Sequence, residues 1–240
     1  PSVLSEKRDQ LLGNRSPATV VRYMAALSHA FTIASNEWEW IQDNPMRRVR
    51  KPKEPRGRIR FLDDSERERL LKFCKDSSCR HLYPIVVLAL STGMRQSEIL
   101  NLTWKDVDLQ RGYITLLDTK NGEPRSVPLV GYAKSLLHES ARIRDIQSDL
   151  VFPSDRDKQV PIFIRTPWGK AVREAEISDF RFHDLRHSAA SYLAMNGASI
   201  VEIADILGHK TLQMVRRYAH LSEQHTTNIL RSMNESIFSG

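Results

Sequence analysis

Apolar residues recur at helical spacing through most of this chain and alternate with polar ones in one short stretch. Ser16-Pro17-Ala18-Thr19 opens a run in which Val20, Met24, Leu27, Phe31 and Ala34 fall on one helical stripe, predicting a helix that ends near Asn36. Trp38, Trp40, Ile41 and Asn44-Pro45 then form an apolar segment closed by a turn. Beyond residue 60, Ser65 and Glu68 stand as a capping box for a helix through Leu70, Leu71 and Phe73. A buried helix follows over Ile85 to Leu90. Thr92-Gly93 ends it and starts a new turn carrying Arg95, Glu98, Ile99 and Leu102. Tyr113-Ile114-Thr115-Leu116-Leu117 and Arg125-Ser126-Val127-Pro128-Leu129 read as two strands joined around Asn121-Gly122, a hairpin signal that puts Lys120 at the tip. Helical patterns fill most of 132–235, apart from loops near 148–161 and 177–182. The prediction is a mainly α protein with one small antiparallel β-sheet, an α+β fold. No internal repeat or low-complexity tract is present.

Length and charge narrow the class. With 240 residues the chain has room for one full domain and a smaller partial one, and enough chain to bury a core. The formal net charge is +7 and the pI about 9.5, which selects an anionic partner, nucleic acid first. The charge is concentrated in 47–60, where Arg47, Arg48, Arg50, Lys51, Lys53, Arg56, Arg58 and Arg60 face a single acid, Glu54, while Pro52 and Pro55 keep the segment extended. A solvated tether is the bland reading; phosphate neutralisation accounts better for the density. No apolar stretch reaches a membrane span or a signal-peptide core, so the expectation is a soluble, cytoplasmic protein. Cys74 and Cys79, the only two cysteines, fit no common zinc spacing and read as reduced thiols. Opening on Pro1 without methionine, the chain reads as an excised or processed piece of a longer protein.

Candidate chemistry lies in a scattered set: Arg95, Lys120, His183-Asp184-Leu185-Arg186, His209 and Tyr218. Two guanidiniums, an ammonium and two imidazoles suit a phosphate, whose charge must be neutralised as it shifts onto the equatorial oxygens during reaction. Tyr218, nine residues past His209, supplies a hydroxyl nucleophile, poor until cations favour its phenolate. His183 and Arg186 are three apart in a helical pattern, which places both on one face. Each residue has an ordinary alternative. Arg95 pairs with Glu98 one turn on, Lys120 is an exposed turn lysine, His209 caps a helix behind Gly208, and Tyr218 half-buries among Val215, Ala219 and Leu221. His183 and His187 are also spaced as a metal pair, but they lack the glutamate of the zincin motif.

Four motifs in order decide between these readings. Thr92-Gly93-Met94-Arg95-Gln96-Ser97-Glu98-Ile99, His183-Asp184-Leu185-Arg186-His187, Leu207-Gly208-His209 and Arg217-Tyr218-Ala219-His220, with the lysine hairpin between the first two, resemble the tyrosine recombinases of the phage-integrase family over about residues 60–235. The resemblance implies a site-specific DNA recombinase that cuts and rejoins double-stranded DNA through a 3′-phosphotyrosyl bond, with no metal, ATP or other cofactor. It implies catalytic roles for Arg95, Lys120, His183, Arg186, His209 and Tyr218. Lys120 would protonate the departing 5′-oxygen, His183 would assist deprotonation of the tyrosine, and Glu98 would orient Arg95 or His183. It further implies residues 1–46 as the end of a helical core-binding domain, 47–60 as a basic linker and 61–240 as the catalytic domain. Ile229, Leu230, Met233 and Ile237 fit a tail helix that docks into a neighbour of a homotetramer on paired DNA sites, with accessory DNA-bending proteins as further partners and the nucleoid as location. The rivals are a type IB topoisomerase, a non-catalytic DNA-binding regulator and a metallohydrolase.

Overall fold

A computed structural model of the chain describes residues 1–55, 60–117 and 124–238, with the side chains of 222–225 excepted. It forms two compact units, Pro1–Arg58 and Ile59–Gly240.

In the first unit, α1 (Ser2–Leu12) packs on α2 (Pro17–Asn36). The predicted start of α2 holds: Pro17 takes the first helical position and the Ser16 hydroxyl accepts the Thr19 N–H. Val20 and Met24 meet Met46 and Val49 in a small core, to which Leu4, Leu11, Leu12 and Phe31 add. Asn44 pins the end of the unit. Its amide donates to the Ser28 carbonyl at 2.8 Å and to the Thr32 hydroxyl at 2.9 Å, and its oxygen caps a turn of 3₁₀ helix at Pro45–Arg48. Trp38 and Trp40 are exposed and lean on one another instead of joining the core.

The second unit is mainly helical. Its elements are α3 (Asp64–Lys75), α4 (Leu82–Thr92), α5 (Gln96–Leu100), a three-stranded antiparallel sheet, α6 (Gly131–Arg142), α7 (Arg165–Glu174), α8 (Asp184–Met195), α9 (Ile200–Leu207), two short 3₁₀ stretches over 212–222, and α10 (Glu223–Phe238). One cap departs from expectation. α3 is capped by Asp63 with Glu66, not by Ser65 with Glu68, because both halves of the capping box form two residues earlier. α4, apolar nearly all round, is the buried centre against which α3, α6 and α8 pack. In the sheet, β2 (Tyr113–Leu116) pairs with β3 (Arg125–Pro128), and a two-residue β1 (Val107–Asp108) that the sequence pattern did not announce adds an edge. The hairpin tip, including Lys120, Asn121 and Gly122, lies outside the described residues. A second core cluster joins Ala190, Ala194, Ile203, Leu207, Val215 and Tyr218. No helix among the described residues is long and apolar enough to cross a membrane. Both cysteines are free thiols.

Candidate active site

Backbone turns build the site. Gly93 ends α4 in the left-handed region at φ 63°, and a Cβ there would lie 2.2 Å from the Leu207 side chain, so the end of α4 and the end of α9 approach as only glycine allows. Two residues on, Arg95 is extended and caps α5. Its N–H donates to Glu98 Oε2 at 2.8 Å and its Nη1 to Glu98 Oε1 at 2.6 Å. The Arg95–Glu98 pair, raised above as the ordinary alternative, therefore exists. It is not closed, however, because a third residue shares the carboxylate: Arg125 Nη2 donates to Glu98 Oε2 at 2.8 Å.

Arg186 enters from α8 and is buried. Its Nη1 donates to the Gly93 carbonyl and its Nη2 to the Leu207 carbonyl, both at 2.7 Å, so it ties α8 to the ends of the two helices whose last carbonyls need donors. Three of its five N–H groups remain beyond these two bonds. Gly208 ends α9 at φ 65° and turns the chain so that His209 Nδ1 is buried, with no hydrogen-bond partner.

Two guanidiniums thus share one carboxylate while a third, Arg186, is bonded to carbonyls beside them, an excess of two positive charges in partly buried surroundings. The electrostatics record this. Burial, with Arg95 and Arg125 nearby, lowers the Arg186 guanidinium to about 10, which leaves it charged at neutral pH. Burial and the Arg186, Arg95 and Arg125 cations hold His209 down to about 4, hence neutral. Burial alone would raise the Glu98 carboxyl. The Arg95 N–H, then the Arg125 and Arg95 guanidiniums, bring it below its ordinary value instead. Like charges held together with a single counter-charge among them attract an anion.

Tyr218 lies elsewhere in its environment. It sits in a 3₁₀ stretch, only 2% exposed, within the second core cluster. Its hydroxyl is hydrogen-bonded to His187 Nδ1. Burial raises its pKa, an effect the Arg217 and Arg186 charges partly offset. Burial, together with the His183 charge, pushes His187 down to about 4, so its neutral ring can accept the phenolic proton in this bond. His183 is the cap residue of α8 and is exposed, its ring edge-on to His187 with centroids 5.3 Å apart.

The structure thus brings together Arg95, Arg186 and His209, and sets His183 and His187 along α8 with Tyr218 on the 3₁₀ stretch packed against it. Lys120 lies outside the described residues. Sequence reasoning missed Arg125 and His187. For Arg125 a signal existed: in the β2–β3 register it faces Leu116 and is two residues from buried Val127, so a cation occupies the inward face of a strand. Among the described residues no three His, Cys, Asp or Glu side chains are grouped as metal ligands.

A mainly helical domain with a small sheet that brings two motif arginines and a histidine into one cationic cluster, with a tyrosine on a following turn, defines a class, and comparison with known proteins gives the family. The chain belongs to the phage integrase family, whose profile matches residues 60–225. It is 38% identical over 208 residues to the shufflon-specific DNA recombinase of Escherichia coli, covering 85% of this chain and 51% of that protein. It is 33% identical over 232 residues to the integrase of Salmonella phage P22, covering 92% of this chain and 58% of that protein. The catalytic domain of bacteriophage HP1 integrase superposes with a TM-score of 0.58 at 30% identity, covering 75% of this chain and 98% of that domain. The XerH site-specific recombinase bound to a palindromic difH substrate shares the fold, with a TM-score of 0.77 at 23% identity over 100% of this chain and 72% of that one. The chain spans between half and three fifths of the length of the two curated relatives.

Proposed function

We propose that this chain carries the catalytic portion of a site-specific DNA recombinase or integrase that cuts and rejoins double-stranded DNA through a 3′-phosphotyrosyl intermediate. The observation that carries the reading is the cluster of Arg95, Arg125 and Arg186, three cations against the one carboxylate of Glu98, with His209 beside it and a sequestered tyrosine in the same fold unit. In this reading Arg95 and Arg186 donate to the non-bridging oxygens and neutralise the charge that grows there. His209, unpaired at Nδ1, adds a polar contact. Tyr218 Oη, released from His187 as its segment shifts, attacks phosphorus and its proton passes to His183. The P–O5′ bond breaks, and Lys120 protonates the departing oxygen. The phosphotyrosyl bond keeps the energy of the broken one, so a different 5′-hydroxyl can attack it without ATP, metal or other cofactor. Residues 1–46 then belong to a helical core-binding domain and 47–60 to a basic linker that tracks phosphates, of which Arg56 and Arg58 lie outside the described residues.

The resting site is not armed. A tyrosine 2% exposed cannot meet a phosphate, so the 212–222 segment must shift when DNA binds. α10 supports assembly as the trigger. Its Ile229, Leu230, Met233 and Ile237 are all exposed, an apolar stripe suited to a neighbouring subunit of a tetramer on paired sites. Accessory DNA-bending proteins and a nucleoid location belong to the same reading.

Covalent capture tests it. A nicked suicide duplex, selected by this chain from a randomised pool, should give a denaturant-resistant adduct with wild type and none with Tyr218→Phe, while non-covalent binding stays nearly intact and EDTA changes nothing. An adduct that persists in Tyr218→Phe removes the tyrosine assignment. Plasmid relaxation without exchange between two sites would place the chain with type IB topoisomerases, and specific binding without any adduct would make it a DNA-binding regulator. Loss of the adduct on chelation would instead make it a metallohydrolase.

A further inference from the structure

We propose that Arg125 is a positioning residue of the phosphate pocket: from the foot of the lysine hairpin it fixes the Arg95–Glu98 pair to the turn that presents His209. The proposal rests on the reading of that pocket as a phosphodiester site.

Strand alternation drives the Arg125 side chain inward, onto the face of Val127, Ile114 and Leu116, all buried. A guanidinium placed there loses hydration and must be repaid by partners. Repayment is incomplete. Nη2 donates to Glu98 Oε2 at 2.8 Å and Nη1 to the Ile206 carbonyl at 3.0 Å, while Nε is buried with no hydrogen-bond partner. Sequence neighbours at the strand's start explain the location. Arg125 lies five residues after Lys120, so the side chain that grips Glu98 and Ile206 also anchors the base of the hairpin that carries the proposed acid.

The two partners and Arg125 itself lie on three different elements. Glu98 belongs to α5 and holds Arg95, Ile206 is in the last turn of α9 one residue before Leu207, and β3 carries Arg125 itself. Gly208 makes the room. A Cβ there would lie 2.7 Å from Arg125 Cδ and Nη1, so the glycine that turns His209 also admits the guanidinium beside it. Both terminal nitrogens of Arg125 have partners, which separates it as a phosphate donor from Arg95, whose guanidinium is bonded through Nη1 alone. Its work is on Glu98. With Arg125 absent, the carboxylate has Arg95 alone to answer and neutralises it; with Arg125 present, Glu98 is shared, and Arg95 keeps N–H groups and charge for the phosphate. The planar fork suits a residue that must bridge a carboxylate and a carbonyl at once, and an ammonium does not reproduce it.

The test uses Arg125→Gln and Arg125→Lys in the full chain, with the suicide duplex selected by wild type. Three quantities are read: the cleavage rate at saturating protein, the DNA dissociation constant, and the His209 titration midpoint by NMR. The cations facing His209 are Arg186, Arg95 and Arg125, with His187 a further neighbour, so deleting one charge should move the midpoint upward. Arg125→Gln should cut the saturated rate by roughly 10²-fold, the scale of a misplaced catalytic group, with the dissociation constant changed by less than about threefold. Arg125→Lys should hold the His209 midpoint and recover only part of the rate. A saturated rate within about threefold of wild type in Arg125→Gln overturns the proposal, as does a loss confined to DNA affinity or an unmoved His209 midpoint. Should Arg125→Gln fail to fold, Glu98→Gln breaks the same linkage from the other side. It must then give the rate loss, and wild-type cleavage in that variant overturns the proposal equally. Failure of the parent reading looks different: wild type then captures no duplex from the pool, and the His209 midpoints alone decide whether Arg125 sets the pocket.

Discussion

The arginine side of the site and the tyrosine side are built on opposite principles. Arg95, Arg125 and Arg186 are held by helix ends and a shared carboxylate, with Arg186 bonded to two carbonyls at 2.7 Å. Tyr218 sits on a 3₁₀ stretch with one side-chain hydrogen bond, to His187, and is removed from solvent by burial among Val215, Leu207 and Ala190. On the proposed reading, the electrophile's cradle is preorganised and costs little to use, whereas the nucleophile is stored. A pocket of fixed cations lowers the barrier only if it does not have to reorganise during the reaction. On the proposed reading, a phenol kept from water and from phosphate would not cut DNA before assembly. The difference separates where rate comes from and where control comes from.

The largest effects should fall on the chemistry. Lys120→Ala should slow cleavage of an ordinary phosphodiester within the roughly 10²–10⁴-fold range of general acids, and Arg95→Ala by roughly 10²–10³-fold. A 5′-bridging sulfur leaves without a proton, so it should restore cleavage to Lys120→Ala and not to Arg95→Ala. Equal impairment of Lys120→Ala on both substrates would assign that residue to positioning.

Stability should split the two sides next. Arg186→Met leaves the Gly93 and Leu207 carbonyls without their donor, at a cost of at least about 2 kcal/mol or a melting drop of roughly 4–8 °C for a domain of this size. Tyr218→Phe gives up one hydrogen bond, about 0.5–1.5 kcal/mol. Calorimetry that ranks the two in the reverse order would mean that the tyrosine side, not the arginine side, holds the fold.

A smaller effect should follow from His187→Phe. Losing the bond to the phenol should raise the open population of the 212–222 segment roughly two- to tenfold, read as faster nitration of Tyr218 in the absence of DNA. An unchanged nitration rate would show that burial alone stores the nucleophile.

Acid should act last and gradually. His187 and His209 are held near 4 in the folded chain against an ordinary value of 6.5, first by burial and then by neighbouring cations, and His81 is depressed likewise. The unfolded chain therefore binds more protons between about pH 6.5 and 4. Stability is fully present above 6.5 and is lost as the pH falls through that window. A urea midpoint that stays flat from pH 7 to 4 would contradict the burial of these rings.

How much of this was legible in the sequence differs from element to element. The Ser16 cap, the apolar run of α4, the Gly93 and Gly208 turns and the hairpin strands are local signals, and each formed where the pattern placed it. α1 was not legible because its apolar residues stand at its ends around the polar stretch Ser5 to Gln10, leaving no periodic stripe. The α3 cap was misplaced by two residues because Asp63, Asp64 and Ser65 are all capping residues and only Asp63 finds Glu66 in reach.

By itself the sequence determined which residue types were available, in what order and on which local turns: Arg95 after a helix-ending glycine, Arg186 on a helix, His209 behind Gly208, Tyr218 beyond it. Only the tertiary structure decided their partners. That Arg186 spends two N–H groups on helix ends, that Glu98 serves Arg125 as well as Arg95, and that His187 rather than His183 holds the tyrosine hydroxyl are contacts between residues 21 to 93 positions apart. Such pairings depend on how helix ends and one inward-facing strand position meet in the packed core, and periodicity within a single segment carries no information about that meeting.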